Sequence, residues 1–209
     1  MTEKQRIIKQ IFNIKDYKTQ ILQKIYSSLK PYDEKNIFQF EWMNLRGARA
    51  RFMRNAIEIR VIDMQESPIS DISIAAAVIS LTEALFNGFF IEEKKQKQWK
   101  TEPLYKILIS VIRDADETII DNNEYLKIFG YPEKKCKLKE LWEHIINKLK
   151  PDDKTLTEYY PQLKIILESG CLSRRILKMI GSNESHSRIL EVYKKLADCL
   201  ENNKMLVLT

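Results

Sequence analysis

A short basic segment, residues 46–60, holds the side chains of this sequence that are best suited to chemistry. It combines one carboxylate with five guanidinium groups, namely Arg46, Arg49, Arg51, Arg54, Glu58 and Arg60. A carboxylate oxygen is a hard ligand that suits Mg²⁺. A guanidinium is a planar donor that binds phosphate or carboxylate oxygens. A metal-bound nucleotide requires both kinds of group side by side, so this segment indicates phosphate chemistry.

The spacing of Glu58 and Arg60 places both side chains on one face of a predicted strand. Residues 56–64 alternate between apolar and polar types, with Ile57 and Ile59 on the opposite face. Glu58 and Arg60 would then leave the same face about 7 Å apart along the backbone. Residue types alone favour a simpler interpretation, an ordinary exposed ion pair that contributes little stability.

Helical periodicity dominates the rest of the chain and gives the elements that must position this segment. Apolar residues recur every three or four positions, which predicts amphipathic helices. The predicted helices cover residues 3–29, 71–90, 101–114, 137–149, 154–168, 171–180 and 187–202. The 71–90 helix is apolar nearly all round, and such helices are usually buried.

Strand character is confined to small parts of the chain. It appears near residues 37–45 and 56–64, while residues 116–128 fit either a short strand or a turn. The predicted fold class is therefore α+β, mainly helical with a small antiparallel sheet. We expect a single domain over residues 1–209.

The charge balance is moderately basic. Thirty-five Lys and Arg residues face 29 Asp and Glu residues, which gives a formal net charge of +6. A basic surface suits anionic partners such as nucleotides or nucleic acid, although interspersed lysines also serve simply as a solvated surface. Arg174 and Arg175 could reach a phosphate, but their positions favour a solvated helix face.

Cysteine and histidine usage indicates a reducing cytoplasm. The three cysteines are far apart and form no CxxC pattern, and the two histidines are scattered, so neither a disulfide framework nor a zinc site is predicted. The longest apolar run, residues 72–91, includes Glu83 and several hydroxyl groups, which disfavours a membrane span. The charged N-terminus lacks the apolar core of a secretory signal.

A long motif surrounds the basic segment. Residues 41–78 read EWMNLRGARARFMRNAIEIRVIDMQESPISDISIAAAV. This stretch resembles the pattern of glutamate–cysteine ligase family 2, which runs E-W-x-N-x-R-G-A-x-A-R-F-x-R-x-A-I-E-I-R-V-x-D-x-Q-E-x-P. Residues 169–181 and 187–206 resemble the closing helices of the same family. The resemblance covers most of the chain and is weakest over residues 91–135.

The resemblance implies a function and a set of residue roles. Members are similar to carboxylate–amine ligases with a glutamine-synthetase-like antiparallel sheet that binds ATP and Mg²⁺. They phosphorylate a γ-carboxylate, and an amine then attacks the acyl phosphate. The implied roles are metal binding by Glu58, phosphate contact and catalysis by Arg60 with Arg54, and nucleotide or substrate contacts by Arg46, Arg51, Arg54 and Arg60. Asn44 is a weaker candidate, and Gln65 and Glu66 would line the site or shape a turn.

The resemblance also implies that this chain corresponds to the C-terminal half of such an enzyme. Related ligases carry further acidic metal ligands and glutamate contacts in an N-terminal half, and residues 1–40 show none of them. We therefore expect glutamate and an amine such as cysteine as substrates, with the missing half supplied by a protein partner or a homo-oligomer. Two other hypotheses remain: a non-catalytic partner or regulatory remnant of this fold, and a basic helical nucleic-acid-binding protein with dispersed arginines.

Overall fold

The predicted fold class is confirmed by a computed structural model. The structure describes residues 10–44, 46–182 and 184–208, without the side chain of Trp42. Most described residues are helical, and antiparallel strands form two small sheets. Contacts divide the chain into two units. The hairpin unit comprises Met1–Asp63 and Lys100–Lys106, and the helical unit comprises Met64–Trp99 and Ile107–Thr209. The single domain expected over residues 1–209 stays a prediction, and each unit is described by itself.

The hairpin unit begins with one helical segment in three parts. Helix α1 covers Ile14–Tyr17, a π-helical stretch covers Lys18–Leu22, and α2 covers Gln23–Leu29. The Asn13 side chain accepts a hydrogen bond from the N–H of Asp16 at 2.8 Å. This cap satisfies a free N–H of the first turn, so the helix begins at Ile14 and not at residue 10. The part of the predicted helix over residues 3–9 lies outside the described residues.

Apolar residues of this helical segment form the core of the hairpin unit. Ile21, Leu22 and Ile25 are each at most 7% exposed. Phe52 packs against this cluster and meets Tyr17 edge to face, with 5.4 Å between the ring centres. The core therefore ties the helix to the segment that carries the arginines.

The strand expected over residues 37–45 is wrong in position. The N–H groups of Ile37 and Phe38 donate to the carboxylate of Asp33 at 2.7 and 2.9 Å. Because this side chain binds both donors, they are not available for a strand ladder. A 3-10 turn follows at Glu41–Met43.

The observed strands form a hairpin around the basic segment. β1 covers Ala48–Arg51 and β2 covers Ala56–Ile59, paired antiparallel so that Arg49 lies opposite Glu58. A 3-10 turn over Phe52–Arg54 joins them, and Asn55 closes it at φ 48°, a left-handed conformation that Asn tolerates well. The predicted 56–64 strand is thus confirmed over its first four residues.

The helical unit contains most of the remaining elements. Its helices are α3 (Pro68–Phe86), α4 (Glu93–Gln96), the end of α5 (Thr101–Asp114), α6 (Asn123–Ile128), α7 (Leu138–Leu149), α8 (Lys154–Ser169), α9 (Leu172–Ile180) and α10 (His186–Glu201). β3 (Ile119–Ile120) pairs antiparallel with β4 (Cys136–Lys137). The predicted boundaries of α5 and α7 to α10 are confirmed to within one residue, because their apolar periodicity and end signals agree.

Helix α3 packs differently from the expectation of uniform burial. Its buried positions are small residues, namely Ser70, Ser73, Ala76, Ala77, Ser80 and Ala84. Ile79 and Phe86 are 63% and 86% exposed. Small side chains allow α3 to pack against α7 and α8, and the Ser80 hydroxyl donates to the carboxylate of Asp153 at the start of α8. By length and composition, α3 is also one described helix that could cross a membrane.

Candidate functional site

Three arginines converge on Glu58 on one face of the hairpin. Arg49 Nη2 lies 2.8 and 2.7 Å from the two carboxylate oxygens of Glu58. Arg51 Nη1 lies 2.8 Å from Glu58 Oε2, and Arg60 Nε lies 3.1 Å from Oε1. We call the side chains of Arg49, Arg51, Glu58 and Arg60 the charged face.

The strand register explains why these four side chains meet. Alternate residues of a strand point to the same side, and cross-strand partners share a side. Arg49 and Arg51 alternate along β1, and Glu58 lies opposite Arg49. Arg60 follows β2 and its N–H donates to the carbonyl of Gly47 at 2.7 Å, which extends the ladder by one residue.

The other side of the hairpin is apolar and open to solvent. It carries Ala48, Ala50, Ile57 and Ile59, and we call it the apolar face. Ile57 is 69% exposed and Ile59 is 42% exposed. The predicted alternation of apolar and polar side chains is therefore present. Among the described residues, β1 and β2 form a two-stranded sheet, and its apolar side is left exposed.

A layer of polar contacts holds the arginines in place. The carbonyl of Asn44 accepts hydrogen bonds from Arg49 Nη1 and Arg60 Nη1, both at 3.3 Å. Asn44 is 1% exposed, and its amide donates to the hydroxyl of Tyr17 at 2.7 Å. That hydroxyl also accepts from the N–H of Ala50 at 3.1 Å. The first helix therefore positions β1 and the turn before it.

A second carboxylate, Glu41, adjoins the charged face. Its Oε1 accepts a hydrogen bond from the N–H of Phe52 at 3.0 Å, and its Oε2 lies 3.9 Å from Arg51 Nε. Three guanidinium groups thus face two carboxylates, which leaves one excess positive charge. Such a site attracts an anion, since the fixed cations are already in place before the ligand arrives.

The cations set the ionisation of Glu58. The hydrogen bond from Arg49 lowers the pKa of this carboxyl most, and the charges of Arg49, Arg51 and Arg60 lower it further against a smaller opposing effect of burial. The Glu58 side chain remains 34% exposed, as does that of Arg60. Glu58 is therefore held as a carboxylate at neutral pH, within reach of solvent and of a small ligand.

The structure places the predicted site residues at different distances from this cluster. Glu58, Arg51 and Arg60 come together on the charged face. Arg54 lies on the exposed hairpin turn, and the structure gives it no ion pair with any described residue. Arg46 is partly buried, and its Nη1 donates to the side-chain oxygen of Asn44 at 3.1 Å. Burial lowers the pKa of Arg46.

Sequence reasoning assigned no individual role to three contributors to the site. Arg49 is 4% exposed and makes the shortest contacts with Glu58. Its alternation with Arg51 would have indicated it, had the first strand been placed over residues 48–51. Glu41 lies within the motif of residues 41–78, but nothing in the sequence predicted a role for its carboxylate. Tyr17 had no signal, because its contact depends on packing between distant parts of the chain.

The ligands for a magnesium ion are not complete here. Among the described residues, no group of three or more His, Cys, Asp or Glu side chains is arranged to hold a metal ion. The Glu58 oxygens already form ion pairs with three guanidinium groups. Mg²⁺ requires a near-octahedral set of oxygens and tolerates neighbouring cations poorly. These residues by themselves do not fit Mg²⁺.

A fully buried carboxylate–guanidinium pair occurs in the helical unit, at Glu66 and Arg175. Arg175 Nη1 lies 2.6 Å from Glu66 Oε1, and both side chains are 0% exposed. Arg175 also donates to the carbonyls of Leu206 and Gly170, while the N–H of Leu206 donates to Glu66. The expected solvated position of Arg175 is therefore wrong. Its neighbour Arg174 is 34% exposed and pairs with Asp116 at 2.8 Å.

The pKa of Glu66 reflects this enclosure. Burial alone would raise it, but the hydrogen bonds from Arg175 and from the backbone of Leu206 outweigh that effect and lower the pKa of the carboxyl. The pair links α9, the segment before α3 and the C-terminal segment, so it joins three distant parts of the helical unit.

Comparison with known proteins identifies one distant relative. The chain is 28% identical to an uncharacterized protein of Archaeoglobus fulgidus over 199 residues, which is 95% of this chain and 46% of the relative. The chain thus spans less than half the length of that relative. No protein-family description matches the chain. No solved structure matches it either.

Proposed function

We propose that this chain is part of an ATP-dependent carboxylate–amine ligase of the glutamate–cysteine ligase type, and that its charged face binds the phosphates of ATP. The observation that carries the proposal is the convergence of Arg49, Arg51 and Arg60 on one carboxylate at 2.7–3.1 Å. Arginines gathered on one face suit a compact phosphate group. A nucleic-acid-binding surface would instead distribute them along an extended backbone.

The residues of the charged face have separable roles in this proposal. Arg51 and Arg60, whose side chains are 19% and 34% exposed, contact the phosphate oxygens. Arg49 is nearly buried and positions Glu58. Arg46 and Arg54 are proposed as further nucleotide or substrate contacts. ATP would supply the phosphoryl group that activates the γ-carboxylate of glutamate, and an amine such as cysteine would accept the acyl group.

Glu58 is better suited to arranging the arginines than to binding a metal alone. It neutralises part of the charge of three guanidinium groups and fixes their separation. The Mg²⁺ that the resemblance implies would need ligands outside the described residues. The relative of more than twice the length of this chain is consistent with additional ligands on another polypeptide segment.

We propose that the remaining half of the ligase covers the apolar face. Ile57 and Ile59 are exposed on a two-stranded sheet, and exposed strand edges and apolar surfaces are normally covered in the working protein. The length of the relative favours a polypeptide corresponding to the rest of the enzyme over a second copy of this chain.

With three free cysteines, a reducing cytoplasm is the proposed location.

Binding of ATP to the purified chain tests the proposal. Isothermal titration calorimetry with ATP is performed on the wild type, Arg51→Ala, Arg60→Ala and the control Arg113→Ala. Each variant of the charged face loses a charge-assisted contact, so we expect a dissociation constant raised about tenfold or more. Arg113→Ala removes the same charge from an exposed position in the helical unit, and this variant should bind like the wild type.

Three results would count against the proposal. The wild type could fail to bind ATP at millimolar concentration, which would favour a non-catalytic partner of this fold. All three arginine variants could weaken binding equally, which would indicate a general basic surface. Short single-stranded RNA could compete with ATP with a steep dependence on salt, which would favour a nucleic-acid-binding protein.

A further inference from the structure

An open cavity in the hairpin unit lies beside the charged face and outside the predicted site. It has a volume of about 610 Å³. Aromatic and aliphatic side chains form most of its lining, from Leu22 and Tyr26 on the first helical segment to Phe52 and Met53 on the hairpin turn. Ligand sites are typically concave and apolar, with a few polar groups that fix orientation. This cavity has that composition.

The cavity carries one group of each charge. The Glu41 carboxylate lines it, and so does Lys18, whose Nζ lies 5.5 Å from the centre of the Phe52 ring. Burial raises the pKa of Tyr26, and the charge of Glu41 raises it further. Glu41 therefore offers a partner to an ammonium group, and Lys18 offers a partner to a carboxylate.

We infer that this cavity binds an α-amino acid with a large apolar or aromatic side chain. The ammonium group binds Glu41, the carboxylate binds Lys18, and the side chain occupies the apolar part between Leu22, Phe52 and Met53. The side chains of Leu22, Phe52 and Met53 offer a mainly apolar lining to that side chain. A bulky apolar side chain also removes more apolar surface from water, which favours binding in proportion to the area covered.

The position of Glu41 relates this cavity to the ligase chemistry, and this part of the inference rests on the proposed function. Glu41 Oε2 lies 3.9 Å from Arg51 Nε, so an ammonium at Glu41 would be near an acyl phosphate held on the charged face. The ammonium loses one proton to Glu41, and its nitrogen forms a C–N bond with the acyl carbon. The C–O bond to phosphate breaks, and the second proton leaves with the phosphate. The bound amino acid is thus the amine acceptor.

Three ligands with the same aromatic ring test the charge requirement. Calorimetry without nucleotide compares L-phenylalanine, which carries both charges, with two analogues. 2-Phenylethylamine carries only the ammonium, and 3-phenylpropionate carries only the carboxylate. We expect phenylalanine to bind the wild type at least about tenfold more tightly than either analogue. In Glu41→Gln, phenylalanine should bind no more tightly than 3-phenylpropionate, because the partner of the ammonium is lost. In Lys18→Gln, phenylalanine should bind no more tightly than 2-phenylethylamine, because the partner of the carboxylate is lost.

Matched controls separate a binding effect from a folding defect. Lys15→Gln removes a charge from the same helical segment outside the cavity and should bind phenylalanine like the wild type. The amide introduced by Glu41→Gln would keep an oxygen for the N–H of Phe52, and the thermal midpoint of each variant reports on folding. If Glu41→Gln does not fold, Lys18→Gln still tests the assignment, because Lys18 is exposed.

The possible outcomes distinguish this inference from the proposed function. Equal affinity for the three ligands, or phenylalanine binding that neither variant changes, would overturn the assignment of the cavity. ATP binding that depends on Arg51 and Arg60 would leave the proposed function standing even then. Charge-dependent phenylalanine binding without any ATP binding would support the cavity and refute its role as the acceptor site of a ligase.

Discussion

Glu58 and Glu66 are close in sequence and both bind arginine, but their surroundings differ completely. Glu58 meets three guanidinium groups on a sheet face where its side chain is 34% exposed. Glu66 meets Arg175 where both side chains are fully buried, and backbone groups satisfy the remaining hydrogen bonds. The first cluster has an excess of positive charge that a ligand can reach. The second is neutral and closed.

This difference indicates which cluster can act on a ligand and which supports the fold. Exposed ion pairs contribute little to stability, because water and salt screen them. A buried pair is costly to break, since removing one partner leaves an unpaired charge in a medium of low polarity. The motif that contains both glutamates therefore combines a proposed binding function with a structural one.

Removal of the buried cation should have the largest effect. Arg175→Ala leaves the Glu66 carboxylate buried without its cation, so we expect the free energy of unfolding to fall by about 3–5 kcal/mol. Urea denaturation followed by circular dichroism measures it. Arg174→Ala is the matched control, because Arg174 is adjacent, partly exposed and paired with Asp116. Equal losses from the two variants would contradict the distinction between them.

Acid should destabilise the protein in part by protonating the buried Glu66. The folded pKa of Glu66 is lowered, so its contribution to stability is fully present above the unfolded value near 4.5 and is lost as pH falls through the folded pKa. The double variant Glu66→Leu/Arg175→Met replaces the pair with apolar groups and lacks this dependence. Its stability should therefore fall less than that of the wild type between pH 5 and pH 3, as measured by urea unfolding. Parallel curves would show that Glu66 does not contribute to the acid sensitivity.

Neutralising Glu58 should change anion binding without a requirement for metal. If Glu58 arranges the arginines, Glu58→Gln alters the affinity for ATP by a similar factor, about threefold or more, with Mg²⁺ or with EDTA. If Glu58 instead binds the metal, only the affinity measured with Mg²⁺ changes. Calorimetry under both conditions decides, with Glu102→Gln as a control for loss of one negative charge in the hairpin unit.

Changing the apolar face should have the smallest effect on the isolated chain. Ile57→Ser alters a side chain that is 69% exposed, so the free energy of unfolding should stay within about 0.5 kcal/mol of the wild type. Analytical ultracentrifugation adds the test of partnership. If the wild type self-associates and Ile57→Ser is a monomer, a second copy of the chain covers this face. That result would contradict the proposal that the remaining half of the ligase covers it.

Local patterns predicted most elements of the helical unit but not the first strand. The apolar periodicity of α7 and α8 and the glycines after α8 and α9 fix those helices within the chain itself. A strand was predicted in the segment before β1 because Ile37 and Phe38 have strand-forming side chains. The carboxylate of Asp33 binds their backbone N–H groups, and that competition is not visible in residue types.

The candidate site was predicted in part for the same reason. The period of two along β2 correctly placed Glu58 and Arg60 on one side. Arg49 joined them through cross-strand pairing, which depends on register and could not be assigned while β1 was misplaced. The sequence likewise gave no ground to separate Arg174 from Arg175, because both occupy one short helix.

The sequence by itself determined the helical periodicity, the alternating strand and the gathering of arginines and carboxylates in one segment. These properties follow from spacing along the chain, since neighbouring residues have fixed geometric relations in a helix or strand. Only the tertiary structure decided which carboxylate is accessible and which is enclosed. That outcome depends on Asn44 and Tyr17 supporting the charged face, and on Glu66 and Leu206 enclosing Arg175, through contacts between residues far apart in sequence.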